Sequence, residues 1–237
     1  MSLLGDSLAH ASFSGIAVGL VLGVAPLPFA LLSAVAAGLA IHLLEHRGIT
    51  RGDTAIGIIF AGGLGVGVIL ATTAGLEEEL LEAFFGSIRM VSPGDLLLLA
   101  ILLGILLLAL VGLYKEYVYL TFDEETAEAS GLPTHALNIL FVALTAVAVV
   151  AATRIVGVLL VASLVILPAA ASQHVSRSFR QSVVLAVVFA VTATSVGIVL
   201  AFLLAWPPGG AVVLVSLALF VIAVVGMRVK EAVGAAA

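Results

Sequence analysis

Leu96-Leu97-Leu98-Leu99-Ala100-Ile101-Leu102-Leu103-Gly104-Ile105-Leu106-Leu107-Leu108-Ala109-Leu110-Val111-Gly112-Leu113-Tyr114 contains no charged side chain. About 20 residues rising 1.5 Å each are enough for a helix to cross the hydrocarbon core of a bilayer. A helix on a water-facing surface keeps a polar face, and this run has none. Lipid or protein must therefore surround it on every side. The same pattern recurs along the chain. Spans are expected at about Leu8–Val24, Phe29–Leu44, Thr54–Thr73, Leu96–Tyr114, Ala136–Thr153, Val156–Ala171, Val183–Leu204 and Ala211–Met227. The expected fold is an all-α, polytopic transmembrane bundle of about eight spans, forming one domain over residues 1–237.

Composition agrees with this pattern. Of 237 residues, 63% are hydrophobic and 10% charged, against about 25% charged in soluble domains. The mean hydropathy is +1.34. A formal charge of -5 gives no basis for nucleic-acid binding. There is no cysteine, which excludes a disulfide framework, a Cys-type zinc site and a thiol nucleophile, and argues against Cu(I) as cargo. Met1-Ser2-Leu3-Leu4-Gly5-Asp6 has no basic n-region and no clear signal-peptidase site. The absence of Gly-Lys-Ser and Gly-Lys-Thr removes the Walker A loop, so any ATP hydrolysis must come from another subunit.

The connections refine the topology. Ala25-Pro26-Leu27-Pro28 ends the first span, and Asp53 is an expected N-cap for the third. That third span contains Gly57, Gly62, Gly63, Gly65 and Gly67, which suits close helix approach in lipid. Residues 74–95 open with Glu77, Glu78, Glu79 and Glu82 and read as an amphipathic or partly re-entrant surface helix. Lys115–Pro133 is the longest charged loop. The fifth and sixth spans join tightly around Arg154, an expected interfacial anchor, and Pro168 is expected to kink the sixth. Arg47, Arg51, Lys115, Arg177, Arg180, Arg228 and Lys230 fall on one side, leaving Arg89 and Arg154 on the other. The positive-inside rule then puts both termini in the cytoplasm and the acidic 74–95 segment outside.

Three polar groups stand out. Asp6 and His10 lie four residues apart, on one helix face. A carboxylate and an imidazole suit a borderline divalent ion such as Zn²⁺ or Mn²⁺. The plain structural alternative has Asp6 capping the helix and His10 bonded to a neighbour. Next, Asp123-Glu124-Glu125-Thr126-Ala127-Glu128-Ala129-Ser130-Gly131 reads as a short helix with acids in its first turn and Gly131 as its stop. Such a helix either docks on a soluble partner or is simply solvated. Last, His42-Leu43-Leu44-Glu45-His46 matches the H-x-x-E-H pattern of one metalloprotease class, without an evident third ligand. His135 and His174 read as solvated loop residues, and Ser12, Ser14 and Ser163 as donors across helices.

Several strings together resemble one family. Gly5-Asp6-Ser7-Leu8-Ala9-His10-Ala11, Asp53-Thr54-Ala55-Ile56-Gly57, Phe122-Asp123-Glu124-Glu125-Thr126-Ala127 through Gly131, and Val156-Gly157-Val158-Leu159-Leu160-Val161 through Leu167-Pro168-Ala169-Ala170 look like the permeases of zinc and manganese ABC importers. The matches keep their order and cover nearly the whole chain. The resemblance implies a type II ABC importer permease in the plasma or inner membrane that is not itself an enzyme. It also implies a homodimer with a second permease copy, cytoplasmic ABC ATPase subunits, and an extracytoplasmic metal-binding protein that delivers Zn²⁺ or Mn²⁺. No permanently bound cofactor is implied. Asp6 and His10 fall on the family's metal-path pair. Asp123, Glu124, Glu125, Ala127 and Gly131 fall on its ATPase-coupling helix. The family usually has another hydrophobic span ahead of its Gly-Asp-x-Leu-x-His string, whereas here Met1 stands five residues before Asp6. A secondary transporter would instead show inverted hydropathy repeats, and no convincing pair is present.

Overall fold

The computed structural model describes residues 4–50, 52–85 and 93–235, and among them finds helices and no strand. The helices are α1 (Leu4–Val21), α2 (Pro26–His46), α3 (Asp53–Thr73), α4 (Glu77–Phe85), α5 (Pro93–Gly112), α6 (Tyr114–Phe122), α7 (Glu124–Ala129), α8 (Thr134–Val156), α9 (Val158–Val175), α10 (Phe179–Leu204) and α11 (Pro208–Ala235). Among the described residues six are long and apolar enough to cross a membrane, or up to seven if the bent pair α5–α6 is one span. The span expected at Val156–Ala171 coincides with α9, which has Pro168 inside it.

The chain divides into two compact units. In the first, α1 packs against both α2 and α3. The pairing is set by small residues. A Cβ on Gly63 would stand 2.9 Å from the Ala11 backbone, and one on Gly67 would collide with the Phe13 ring. Ser7 donates to the Ile56 carbonyl at 3.1 Å. The contacts 7/56, 11/63 and 13/67 advance together, so α1 and α3 run in the same direction. Gly15 and Gly19 meet Phe29 and Pro26 in the reverse sense, so α2 runs antiparallel to α1. The Ser14 and Ser33 hydroxyls lie 3.1 Å apart across that pair. Ser12 instead donates within its own helix, to Ala9 at 2.7 Å. Among lipid-facing helices, where no water is released on association, such close backbone contact is the main source of attraction. Only Gly63 and Gly67 of the five α3 glycines serve it, because Gly57, Gly62 and Gly65 face open space.

In the second unit, α9, α10 and α11 pack together. The Cβ position of Gly197 on α10 lies 2.5 Å from the Cα of Val212 on α11. Outward aliphatic side chains such as Val187, Val191 and Leu203 suit a lipid exterior.

Four local expectations change. Asp53 does not cap α3: Gly52 holds the N-cap position with φ +52, no side-chain cap bond forms, and Asp53 sits in the first turn beside the positive helix end. Lys115–Phe122 is helical rather than loop. Its charges end the lipid-compatible run but not the hydrogen-bonded backbone, which turns by 65° near Leu113. The α8–α9 joint lies at Gly157, with φ +88, and not at Arg154. His135 and His174 are helical, in α8 and α9. The 74–95 surface segment is helical over Glu77–Phe85, and 86–92 lie outside the described residues.

Candidate functional site

Asp6 and His10 occupy consecutive turns of α1, the most enclosed of the candidate spans. Its Gly5, Ser7, Ala9, Ala11 and Ser12 are buried because small side chains let α2 and α3 close around it. His10 is 4% exposed. One face of its ring meets Phe60 of α3 edge-on, with centroids 4.3 Å apart. Its Nε2 stands 3.8 Å from Asp6 Oδ1, and Asp6 is partly open at 27%. A separation of 3.8 Å exceeds a hydrogen bond. It leaves room for an ion whose bonds to nitrogen and oxygen are each about 2.0–2.2 Å. His10 Nδ1 is buried and has no protein hydrogen-bond partner, a state that a water or an ion would relieve. The other ring nitrogen, Nε2, has Asp6 at ion-pair distance. Among the described residues α1 is already helical at Leu4, so Asp6 lies within the helix and not at its N-cap.

The second group lies on α7. Asp123 is its N-cap: its carboxylate accepts from the Thr126 amide at 2.9 Å and also from the Thr126 hydroxyl. These bonds hold the Asp123 carboxyl below its usual range. At the other end Gly131 adopts φ +84. The Leu132 amide donates to the Ala127 carbonyl at 3.2 Å and the Gly131 amide to Glu128 at 2.9 Å. That pair of bonds is a Schellman stop, which needs the left-handed conformation glycine permits. Ala127 is fully buried while Glu124, Glu125 and Glu128 are exposed, so α7 lies flat on one face. Two side-chain bonds tie it down. Asn138 of α8 donates to Glu124 at 2.8 Å, and the Tyr119 and Ser130 hydroxyls meet at 3.0 Å.

The third group is larger than the sequence indicated. His42 and His46, near the end of α2, are joined by His135 in the first turn of α8. The ring centroids are 6.0 Å apart for His42–His46, 5.0 Å for His42–His135 and 5.1 Å for His46–His135. Nothing near position 135 signals this, because the partner lies 93 residues away. Ser33, Phe60 and Asn138 were missed for the same reason. Among the described residues, no group of three or more His, Cys, Asp or Glu side chains stands in an arrangement that could hold a metal ion without side-chain movement.

Comparison with known proteins places the chain. It is 32% identical over 224 residues to the manganese transport system membrane protein MntC of Listeria monocytogenes, covering 94% of this chain and 80% of that protein. It is 27% identical to a probable iron transport system membrane protein of Haemophilus influenzae, over 97% of this chain and 84% of that one. The solved structure of PsaBC from Streptococcus pneumoniae in complex with Fab superposes with a TM-score of 0.84 at 29% identity, covering 94% of this chain and 80% of that one. The model of the ABC 3 transport family matches residues 1–227. This favours transport over the protease reading of His42, Glu45 and His46. With its apolar helices and its type of packing, the chain is a multi-pass membrane permease belonging to the ABC 3 transport family.

Proposed function

We propose that this permease imports a divalent transition metal ion, manganese or zinc, through a path that includes Asp6 and His10, driven by ATP hydrolysis on separate subunits. The observation that carries the assignment is the buried His10 ring, with an unpartnered Nδ1 and with Nε2 3.8 Å from the Asp6 carboxylate. An ionisable pair within a membrane span is costly unless it has a use. The names of the relatives, which include manganese and iron transport proteins, support this cargo class.

The permease works as a homodimer with one path between the copies. An extracytoplasmic metal-binding protein delivers the ion on the face away from α7. Asp6 and His10 exchange part of its water shell for one oxygen and one nitrogen ligand. Two ligands give a weak site, which a transporter needs in order to release its cargo. On the cytoplasmic side, where both termini lie, ATPase subunits grip α7 through the exposed Glu125 and Glu128. Glu124, bonded to Asn138, passes the pull to α8. The buried Ala127 and the Gly131 stop keep α7 seated. Closure of the ATPase pair then rocks the helices and opens the path inward.

The test is radiolabelled or fluorescent metal uptake by cells carrying Asp6→Ala or His10→Ala. Uptake falls to background while the permease still co-purifies with its ATPase. Unchanged uptake at normal expression overturns the assignment.

A further inference from the structure

We propose that His42, His46 and His135 form a second metal site, separate from Asp6 and His10, in which three imidazoles hold a zinc-class ion at the ends of α2 and α8. Neither the transport reading nor the sequence pattern H-x-x-E-H accounts for His135, yet it completes a triangle of rings.

The dimensions fit. In a tetrahedral site with metal–nitrogen bonds of about 2.0–2.1 Å, two ligating nitrogens stand about 3.3 Å apart and their ring centroids about 5 Å. His42 Nε2 and His135 Nδ1 share a hydrogen bond at 3.3 Å, a separation that an ion could replace. The His135 ring centroid is 5.0 Å from that of His42 and 5.1 Å from that of His46. Two ligands are thus at metal-bridging distance. The third, His46, is exposed and completes the set by turning about its side-chain torsions. The helices hold the spacing. His42 and His46 are one turn apart on α2. The antiparallel contact of Gly38 with Val142 on α8 sets the register that brings His135 alongside.

Groups of both signs surround the cluster. The carboxylates of Glu45 and Glu124 act electrostatically on His42, along with the His46 and His135 rings. It is the neutral imidazole that ligates a divalent ion. The donor set also selects. Imidazole suits Zn²⁺, Ni²⁺ and Fe²⁺, whereas Mn²⁺ prefers oxygen. This site should therefore rank ions differently from the carboxylate–imidazole pair in α1.

A use follows from location, and this clause rests on the reading of α7 as the ATPase-docking helix. Glu124 of α7 bonds Asn138, one turn beyond His135 on α8. An ion joining α2 to α8 stiffens the seat of α7. Zinc accumulated on that face would restrain the rocking that ATP drives.

The binding test needs no transport. The full-length chain in nanodiscs is titrated with Co²⁺, whose tetrahedral imidazole complexes absorb strongly in the visible, and then with Zn²⁺ in competition. The expected result is a visible band displaced by Zn²⁺, retained in Asp6→Ala/His10→Ala. In His42→Ala/His135→Ala the band is lost and Zn²⁺ affinity drops at least tenfold. His42→Gln/His135→Gln, which keeps polar side chains, behaves as the alanine pair does while melting like the wild type. A band that survives in both His42/His135 variants, or one that vanishes with Asp6 and His10, overturns the site. Metal uptake measured in parallel separates the two readings, because loss of uptake in Asp6→Ala/His10→Ala with the band intact supports both.

Discussion

Two places in the first unit set histidine against other ionisable side chains, and they are built in opposite ways. His10 is sealed inside packed helices, one turn from its carboxylate partner, on a single element. His42, His46 and His135 meet at helix ends, on two elements, with His46 and His135 open to solvent. The enclosed pair depends on glycine and serine contacts that let three helices close on one another. The open cluster depends on the register of α2 against α8. The contrast teaches that burial makes a weak ligand pair consequential, because an imidazole nitrogen left unpaired there is costly. At the rim, several ligands are needed for the same effect.

The largest expected effect breaks the enclosed site. His10→Ala takes uptake to background, whereas His135→Ala, at low external zinc, stays within about twofold, the range of ordinary surface substitutions. Parallel transport assays decide this, and equal losses would erase the distinction. Gly63→Leu comes next. It forces a side chain against the Ala11 backbone beside His10, and overpacking of this kind costs about 1–3 kcal/mol. Gly62→Leu, into open space, costs within about 0.5 kcal/mol. Thermal unfolding in detergent measures both. On the other side of the comparison, Gly131→Ala places a Cβ in the left-handed region at a cost of about 1 kcal/mol. It should loosen α7 without touching His10, seen as weaker co-purification with the ATPase.

The smallest effect is a titration. Asp123 has its carboxyl lowered by the Thr126 hydroxyl and amide bonds. A lowered folded-state pKa means the cap is fully present above the ordinary carboxylate range and is lost as pH falls through the folded value. Amide exchange at Thr126 should therefore quicken only in acid, and Asp123→Asn should remove most of that pH response. An unchanged response in Asp123→Asn would place the titrating group elsewhere.

Much of this was legible in the sequence for a local reason. Apolar runs such as 96–114 announce themselves because the lipid requirement acts on every residue of a span. Asp123 and Gly131 mark the ends of α7 because a cap and a stop are made by residues within a few positions of each other. Asp6 and His10 were found by spacing on one helix. The errors are also local. The charges at Lys115 and Glu116 suggest a loop, yet after the bend at Leu113 a second helix, α6, carries the chain to Phe122. Asp53 matched the cap composition, but Gly52 held the cap conformation.

What the sequence alone determined is a helical membrane protein, its principal apolar segments, the α7 caps and the Asp6–His10 pair. All follow from hydropathy or from bonds spanning at most a few residues. Only the tertiary structure decided that Gly63 rather than Gly62 meets Ala11, that His10 lies against Phe60 with Nδ1 unpartnered, and that His135 joins His42 and His46. These depend on the rotation and register of one helix against another. Many similar small side chains along a span make alternative registers look alike in sequence, and only the packed structure distinguishes them.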